Sequence, residues 1–439
     1  MKKFTKILFL SFMVFSAFSC LKDECAETME FYRFDPVYLS KTEYNAPIEV
    51  GSPRTLENPG ILYSYKNYIL INEINKGIHV IDNTDPTNPQ FISFVSILGN
   101  THFSIRNDQM YANKFGHLLS IDFSDPINPV ETSRIANVSE DVQYHENKGF
   151  LAYYERTELT RSLDCADPRF NSVRWTDRGT GQVWWGAGRP EFAFMDQTGR
   201  PLTNANFSSS KSAGGGNVSG TGGSMARITL ANDYLYWVNN HQLMTFDLAD
   251  KKNPRSTGKL DIGWNIETIY PFKEKLFIGS SSGMFIYDVS NAAEPRYESS
   301  FSHATACDPV VTDGTTAYVT LRSGNECDGF VNQMDAVDVS QTSSPYLVKT
   351  YPMIQPHGLS LTEDGIIYLC EGPYGLKVLN AKDRGDIKTE KHIKGFHAYD
   401  AIALSNELLL IIGDDGFIQY DVTNPASPKR LSIIPVEKS

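Results

Sequence analysis

The chain has 439 residues and a formal net charge of −12. That balance excludes a nucleic-acid groove, which needs a basic stripe. The length would suit two or three ordinary domains, but 25 Phe and 22 Tyr suit packing between repeated sheets.

The N-terminus reads Met1-Lys2-Lys3-Phe4-Thr5-Lys6, then an apolar run from Ile7 to Phe18. Basic residues before a short apolar core predict a secretory signal, too short for a spanning helix. The run ends in Ala17-Phe18-Ser19-Cys20, which resembles a lipobox. The resemblance implies a signal peptide over residues 1–19 and lipidation of Cys20; the alternative is ordinary cleavage near Ser19 with Cys20 as a plain thiol. Leu21-Lys22-Asp23-Glu24 is similar to the surface-export signal of Bacteroidota lipoproteins, and otherwise reads as a solvated charged tether. Residues 20–33 form that tether. Acyl chains would then hold the protein at the outer membrane, exposed at the cell surface, without a spanning helix.

From residue 34 onward one design recurs. Gly77-Ile78-His79-Val80-Ile81-Asp82 is an alternating strand ending in Asp, followed by a polar turn and Pro86. Further copies end at Asp122, Asp164, Asp247, Asp288, Asp338, Asn380 and Asp421. Successive anchors lie 40, 42, 83, 41, 50, 42 and 41 residues apart, a unit of about 41 with one insertion. Such a period, built from short strands and turns, predicts four-stranded propeller blades. The recurring Asp is assigned to the turn, where its carboxylate accepts backbone N–H groups. The pattern hydrophobic-x-Val/Ile-x-Asp-x-Ser/Thr-(Asp/Asn)-Pro resembles the LVIVD repeat, a propeller repeat of predicted surface lipoproteins of Bacteroidota.

The expected fold class is therefore all-β: one closed β-propeller over residues 34–439 with eight four-stranded blades, or seven if the copy at Asp164 is set aside. Either Phe34–Ser40 or Leu431–Pro435 would supply the closing strand. An insertion at about 169–223 carries Trp175, Trp184 and Trp185 beside Arg174, Arg178 and Arg189. Its aromatic part is expected as a hairpin, with Trp184 and Trp185 either contacting a ligand or packing the insertion. Its Gly/Ser part, from Ser208 to Ser224, reads as a flexible segment. Cys307 and Cys327 lie at the same end of one hairpin, so they are the first candidate disulfide; the partners of Cys25, Cys165 and Cys370 cannot be read from spacing.

Aligning the starts of the innermost strands gives Gly60, His102, Asp141, Arg227, Glu267, Asp308, His357 and Asp400. Equivalent positions meet at a propeller's channel, so a polar ring is expected at its mouth. His303 and His397 stand just upstream of two of the acids. The ring reads either as a ligand pocket, whose carboxylates could hold a hard cation such as calcium, or as a water-filled mouth. No resident cofactor is called for. A non-catalytic surface lipoprotein that binds a protein or glycan ligand as a monomer is the reading adopted, because no Gly-x-Ser-x-Gly or comparable nucleophile element occurs. A metal-dependent hydrolase at the channel mouth is the alternative.

Overall fold

A computed structural model describes residues 26–139, 142–164, 174–176, 183–186, 193–195, 201–203, 208–209, 220–280, 283–302, 309–322 and 331–437. Residues 1–19, read as a signal sequence, and Cys20, Asp141, Asp308, Cys307 and Cys327 lie outside these residues. The chain divides into two compact units, Val37–Tyr153 with Glu191–Ser439 and Met1–Pro36 with Tyr154–Pro190.

The larger unit is a β-propeller. Seven antiparallel meanders of four strands follow one another along the chain. Blade 1 comprises Pro59–Tyr65, Tyr68–Glu73, Gly77–Asp82 and Gln90–Ser96, and blade 2 comprises Phe103–Arg106, Gln109–Lys114, His117–Asp122 and Val130–Ile135. Blades 3 to 7 begin at Ile228, Ile266, Val310, Leu359 and Asp400, and the last ends at Pro435. In each blade the first strand touches neighbouring blades. The fourth strand lies outermost of the four, fully exposed in Arg255–Asp261 of blade 3; in blade 1 the short strand Glu49–Gly51 pairs outside it. The middle strands are apolar on both faces because each blade is sandwiched between two others.

Apolar clusters join blade to blade in order. Blades 2 and 3 share Tyr111, Leu118, Ile228 and Trp237, so they are direct neighbours. Blades 7 and 1 share Leu62, Ile71, Ile402, Leu410 and Phe417. Asn83 and Gln419 exchange side-chain hydrogen bonds of 2.9 and 2.7 Å across the same junction, and Leu56 bridges Val436. The blade series thus returns to its start. All four strands of blade 7 come from one contiguous segment, with Lys429–Pro435 outermost. Phe34–Ser40 is not part of it.

Among the described residues the four-stranded meanders number seven. The copy ending at Asp164 lies on Gly149–Asp164, a strand that belongs to no four-stranded meander. The smaller unit contains Phe31–Phe34 paired antiparallel with Val183–Gly186, which pairs in turn with Arg174–Thr176. The expected hairpin of the insertion is therefore present, with Trp175 opposite Trp184. Within residues 20–33, expected as a tether, strand structure begins at Ala26. Among the described residues no helix is long and apolar enough to cross a membrane.

The recurring Asp closes the turn after the third strand. Asp82, Asp122, Asp247, Asp288, Asp338 and Asp421 each accept the N–H of the residue two positions on, at 2.8–3.1 Å. Asn380 does the same at 3.3 Å. Asp338 also accepts from the Ser340 and Tyr346 hydroxyls and pairs with Arg384. The Ser340 hydroxyl and amide, with Arg384 and Tyr346, hold its carboxyl down at about 2. A depressed carboxyl stabilises above its ordinary range and loses that contribution as pH falls. Asp338→Ala is expected to cost roughly 2 kcal/mol at pH 7 and progressively less between pH 4 and pH 2; denaturant titrations across that range check it.

Candidate functional site

The described members of the expected ring have identifiable partners. They form three groups, and each ties segments of the chain together.

The first group lies at blades 2 to 4. Arg227 precedes the inner strand of blade 3. Its Nε–H donates to the Glu267 carbonyl at 3.1 Å, and Nη1 donates to Asn240 Oδ1 at 3.1 Å. Asn240 belongs to the loop between the second and third strands of blade 3, and Glu267 opens blade 4. The same two loops are joined by Ile262 N–H to the His241 carbonyl at 2.9 Å and Ile266 N–H to the Asn240 carbonyl at 3.0 Å. Arg227 is therefore a clamp between loops. His102 is held well below the ordinary imidazole range by burial and then by the charge of Arg227, so it stays neutral near pH 7. The His102 carbonyl accepts from Asn100 Nδ2 at 3.0 Å, and its N–H donates to Asn113 Oδ1 at 2.8 Å. Asn72 Nδ2 donates to Asn100 Oδ1 at 2.8 Å. This asparagine network is absent from a reading that aligned only the starts of inner strands.

The second group gathers Arg322, His357, His397 and Tyr399. Arg322 is 1% exposed, with Nη1 3.4 Å from His357 Nε2. The His357 and His397 ring centroids lie 6.0 Å apart, and His397 meets Tyr399 edge-on at 4.7 Å. Tyr399 donates to Asp414. Burial, then Arg322 and His397, keep His357 well below its ordinary range. His397 was placed beside the ring by the sequence; Arg322 was not, because it follows a second strand.

The third group surrounds Asp400, which is 0% exposed. Ser224 donates to Asp400 Oδ1 from N–H at 3.1 Å and from Oγ at 2.9 Å. Ser224 Oγ in turn accepts Leu359 N–H at 2.9 Å. Ser224 ends the strand Thr221–Ser224, which pairs antiparallel with the inner strand of blade 1 through Thr221↔Ser64 and Gly222↔Tyr63. The strand also contacts the inner strands of blades 6 and 7, and Gly220 N–H reaches the Ile105 carbonyl of blade 2 at 2.9 Å. A segment touching the innermost strands of four blades occupies the space those strands surround. Gly220–Ser224, the end of the Gly/Ser part expected as a flexible segment, is thus a strand threaded into the channel. Glycine is needed there for close approach. A Cβ on Gly220 would lie 2.1 Å from the Tyr63 ring, and one on Gly223 would lie 1.7 Å from Asp400 Oδ2.

Burial pushes the Asp400 carboxyl up to about 7, against the opposing hydrogen bonds from Ser224. Cys370, a free buried thiol, is pushed up by burial and by Asp400 and Glu371. Among the described residues no group of three or more His, Cys, Asp or Glu side chains is arranged to hold a metal ion.

One blade carries a family signature. Residues 329–352, the third and fourth strands of blade 5 with their Asp338 turn, match the LVIVD repeat. No curated protein sequence matches the chain. Similar solved structures include the periplasmic gluconolactonase PpgL of Pseudomonas aeruginosa, 10% identical over 93% of this chain and 97% of that one, with a TM-score of 0.48. Sqt1 of Saccharomyces cerevisiae is 5% identical over 89% and 88% (TM-score 0.48). Apo AztD from Citrobacter koseri is 9% identical over 94% and 83% (TM-score 0.41). These likenesses concern architecture and assign no ligand.

Proposed function

We propose that the protein is a non-catalytic binding protein, lipid-anchored through Cys20 at the outer membrane and exposed at the cell surface, and that it takes a protein or glycan ligand on its loops. The observation that carries the binding role is Trp264, 78% exposed on the loop between blades 3 and 4. Its indole stacks on His241 with centroids 5.8 Å apart. Both residues sit on the two loops that Arg227 clamps, so a large apolar face is offered to solvent on a fixed support. Ordered, exposed aromatics of this kind supply contact area at low entropic cost. The lipoprotein reading is supported by the basic-then-apolar N-terminus and the Ala17-Phe18-Ser19-Cys20 junction.

Two measurements test the proposal. In cells, the protein is expected in the membrane fraction, labelled by a palmitate analogue and clipped by protease added to intact cells. Cys20→Ala is expected to abolish the label and move the protein to the soluble fraction; a protected or unlabelled wild-type chain would refute anchoring at the surface. In binding assays on glycan arrays and surface-protein extracts, Trp264→Ala is expected to lower affinity at least tenfold, the scale of an aromatic hot spot. Unaltered binding would remove this loop from the site, and the Trp184→Ala/Trp185→Ala pair asks the same of the insertion hairpin.

A further inference from the structure

The threaded strand has properties of a bound peptide. It adds to the edge of the inner strand of blade 1 by backbone pairing, which is the geometry of strand addition. It presents almost no side chain, as a narrow channel requires. At its end it meets one buried ionisable group, Asp400.

Asp400 Oδ1 receives two hydrogen bonds from Ser224, and the Ala401 backbone amide also favours the carboxylate. Oδ2 is buried with no hydrogen-bond partner and faces Gly223. Gly358 closes the other side, where a Cβ would lie 2.4 Å from Oδ1. The elements packed against Asp400 bring little charge. The inner strands of blades 1 and 6, Pro59–Tyr65 and Leu359–Leu361, contain no charged residue. Blade 6 contributes the Cys370 thiol, with Glu371 beyond it. The threaded strand contributes only Ser224. On its own chain Asp400 follows Tyr399 and His397. A carboxylate in this place has no cation to offset it, whereas the acid form suits it.

We propose that the propeller channel is a binding groove for an extended glycine-rich strand, that Thr221–Ser224 is its resident occupant, and that Asp400 is a catch that holds the strand as a neutral acid and releases it on ionising. Two effects compete at the catch. Ionisation strengthens the bonds that Ser224 donates, and it also places a charge where water cannot reach. Burial wins, because the carboxyl is 0% exposed and Oδ2 has no donor to replace water; the carboxyl is accordingly held up at about 7 despite Ser224 and the Ala401 amide. Withdrawal of Thr221–Ser224 opens the carboxylate to water and removes that penalty. A rise of about three pH units from the ordinary value bounds the coupling at about a thousandfold in the seating equilibrium.

Amide hydrogen exchange of the full chain tests this directly. Peptides covering Gly220–Ser224 are followed at pH 5.5 and 8.5, corrected for intrinsic rates, with Tyr234–Val238 of blade 3 as the internal reference. Wild type is expected to lose at least tenfold of its protection at the higher pH, while Asp400→Asn keeps it at both. Equal protection of the wild-type segment at both pH values would overturn the catch, as would an equal loss in Asp400→Asn. No protection at either pH would overturn the groove itself. Gly223→Val is expected to abolish protection of the segment at both pH values and leave the reference unchanged; a segment that stays protected in that variant would also overturn the groove.

Discussion

Asp400→Asn is expected to be more stable than wild type at pH 8 and to lack a pH dependence that wild type shows. In the folded protein the carboxyl titrates near 7; in the unfolded chain it titrates near its ordinary value of about 4. Between these values the folded state binds a proton that the unfolded state has lost. The stability contributed by the neutral acid is therefore complete below about pH 4, falls as pH rises, and is gone above about pH 7. Three units correspond to about 4 kcal/mol. The amide of Asn keeps an oxygen for Ser224 and cannot ionise, but its NH2 group would face Gly223. The O–H of the neutral acid meets the same lack of a partner on Oδ2, so the expected penalty of about 1–2 kcal/mol at every pH comes from the second N–H of the amide. The mutant is thus expected to be the less stable protein at pH 4 and the more stable one at pH 8. The difference between the two, from denaturant titrations, is expected to climb by about 4 kcal/mol over that range. His102 and His357 titrate in the opposite sense and cancel in the comparison. A flat difference would show that Asp400 is not the buried acid described.

Lys377→Met is expected to destabilise the protein by about 3–5 kcal/mol, the cost of stranding one partner of a buried ion pair. Glu371 is fully buried at the end of the second strand of blade 6. Its Oε1 accepts Ile354 N–H at 2.9 Å and Lys377 Nζ at 2.7 Å, and its Oε2 faces His392 Nε2 at 3.5 Å. Removing the lysine leaves the carboxylate with the Ile354 amide and the His392 ring. Adding Glu371→Gln to Lys377→Met is expected to recover most of the loss, because an amide can be buried on the same Ile354 N–H. The two single mutants and the double mutant, compared by denaturation midpoint, form the cycle that isolates the pair. A loss under 1 kcal/mol for Lys377→Met would mean that water reaches Glu371 after all. Blade 1 repeats the device with Glu73 and His79, whose Nε2 lies 2.9 Å from the carboxylate, so this buried acid recurs within the repeat.

The repeat was legible because its punctuation is local. The Asp of each third strand bonds an amide two residues away, and such turns need no knowledge of the rest of the fold. The copy at Asp164 shows the limit of that method. Alternation and spacing describe any exposed strand with a polar end, and they do not say which sheet the strand of Gly149–Asp164 joins. The ring was legible in position, and its partners were not. His102, Arg227, His357 and Asp400 do stand at the starts of inner strands, but their partners come from elsewhere: Asn240 and Arg322 from loops after second strands, Ser224 from the insertion. Only the fold brings these together. The threaded strand was the hardest part to see. Thr221-Gly222-Gly223-Ser224 has no apolar alternation, and small residues read as a linker. Its glycines answer to the Tyr63 ring and the Asp400 carboxylate, neither of which is near in sequence. The one available signal was that a Gly/Ser run feeds directly into blade 3.

A crystal structure of the protein from Ala26 onward is the most direct test. Continuous density for Gly220–Ser224 inside a ring of seven sheets, paired with Pro59–Tyr65 and with Ser224 against Asp400, is the expected result. An ordered ring whose channel holds only water beside Asp400, or blades 1 and 7 standing apart, would contradict it.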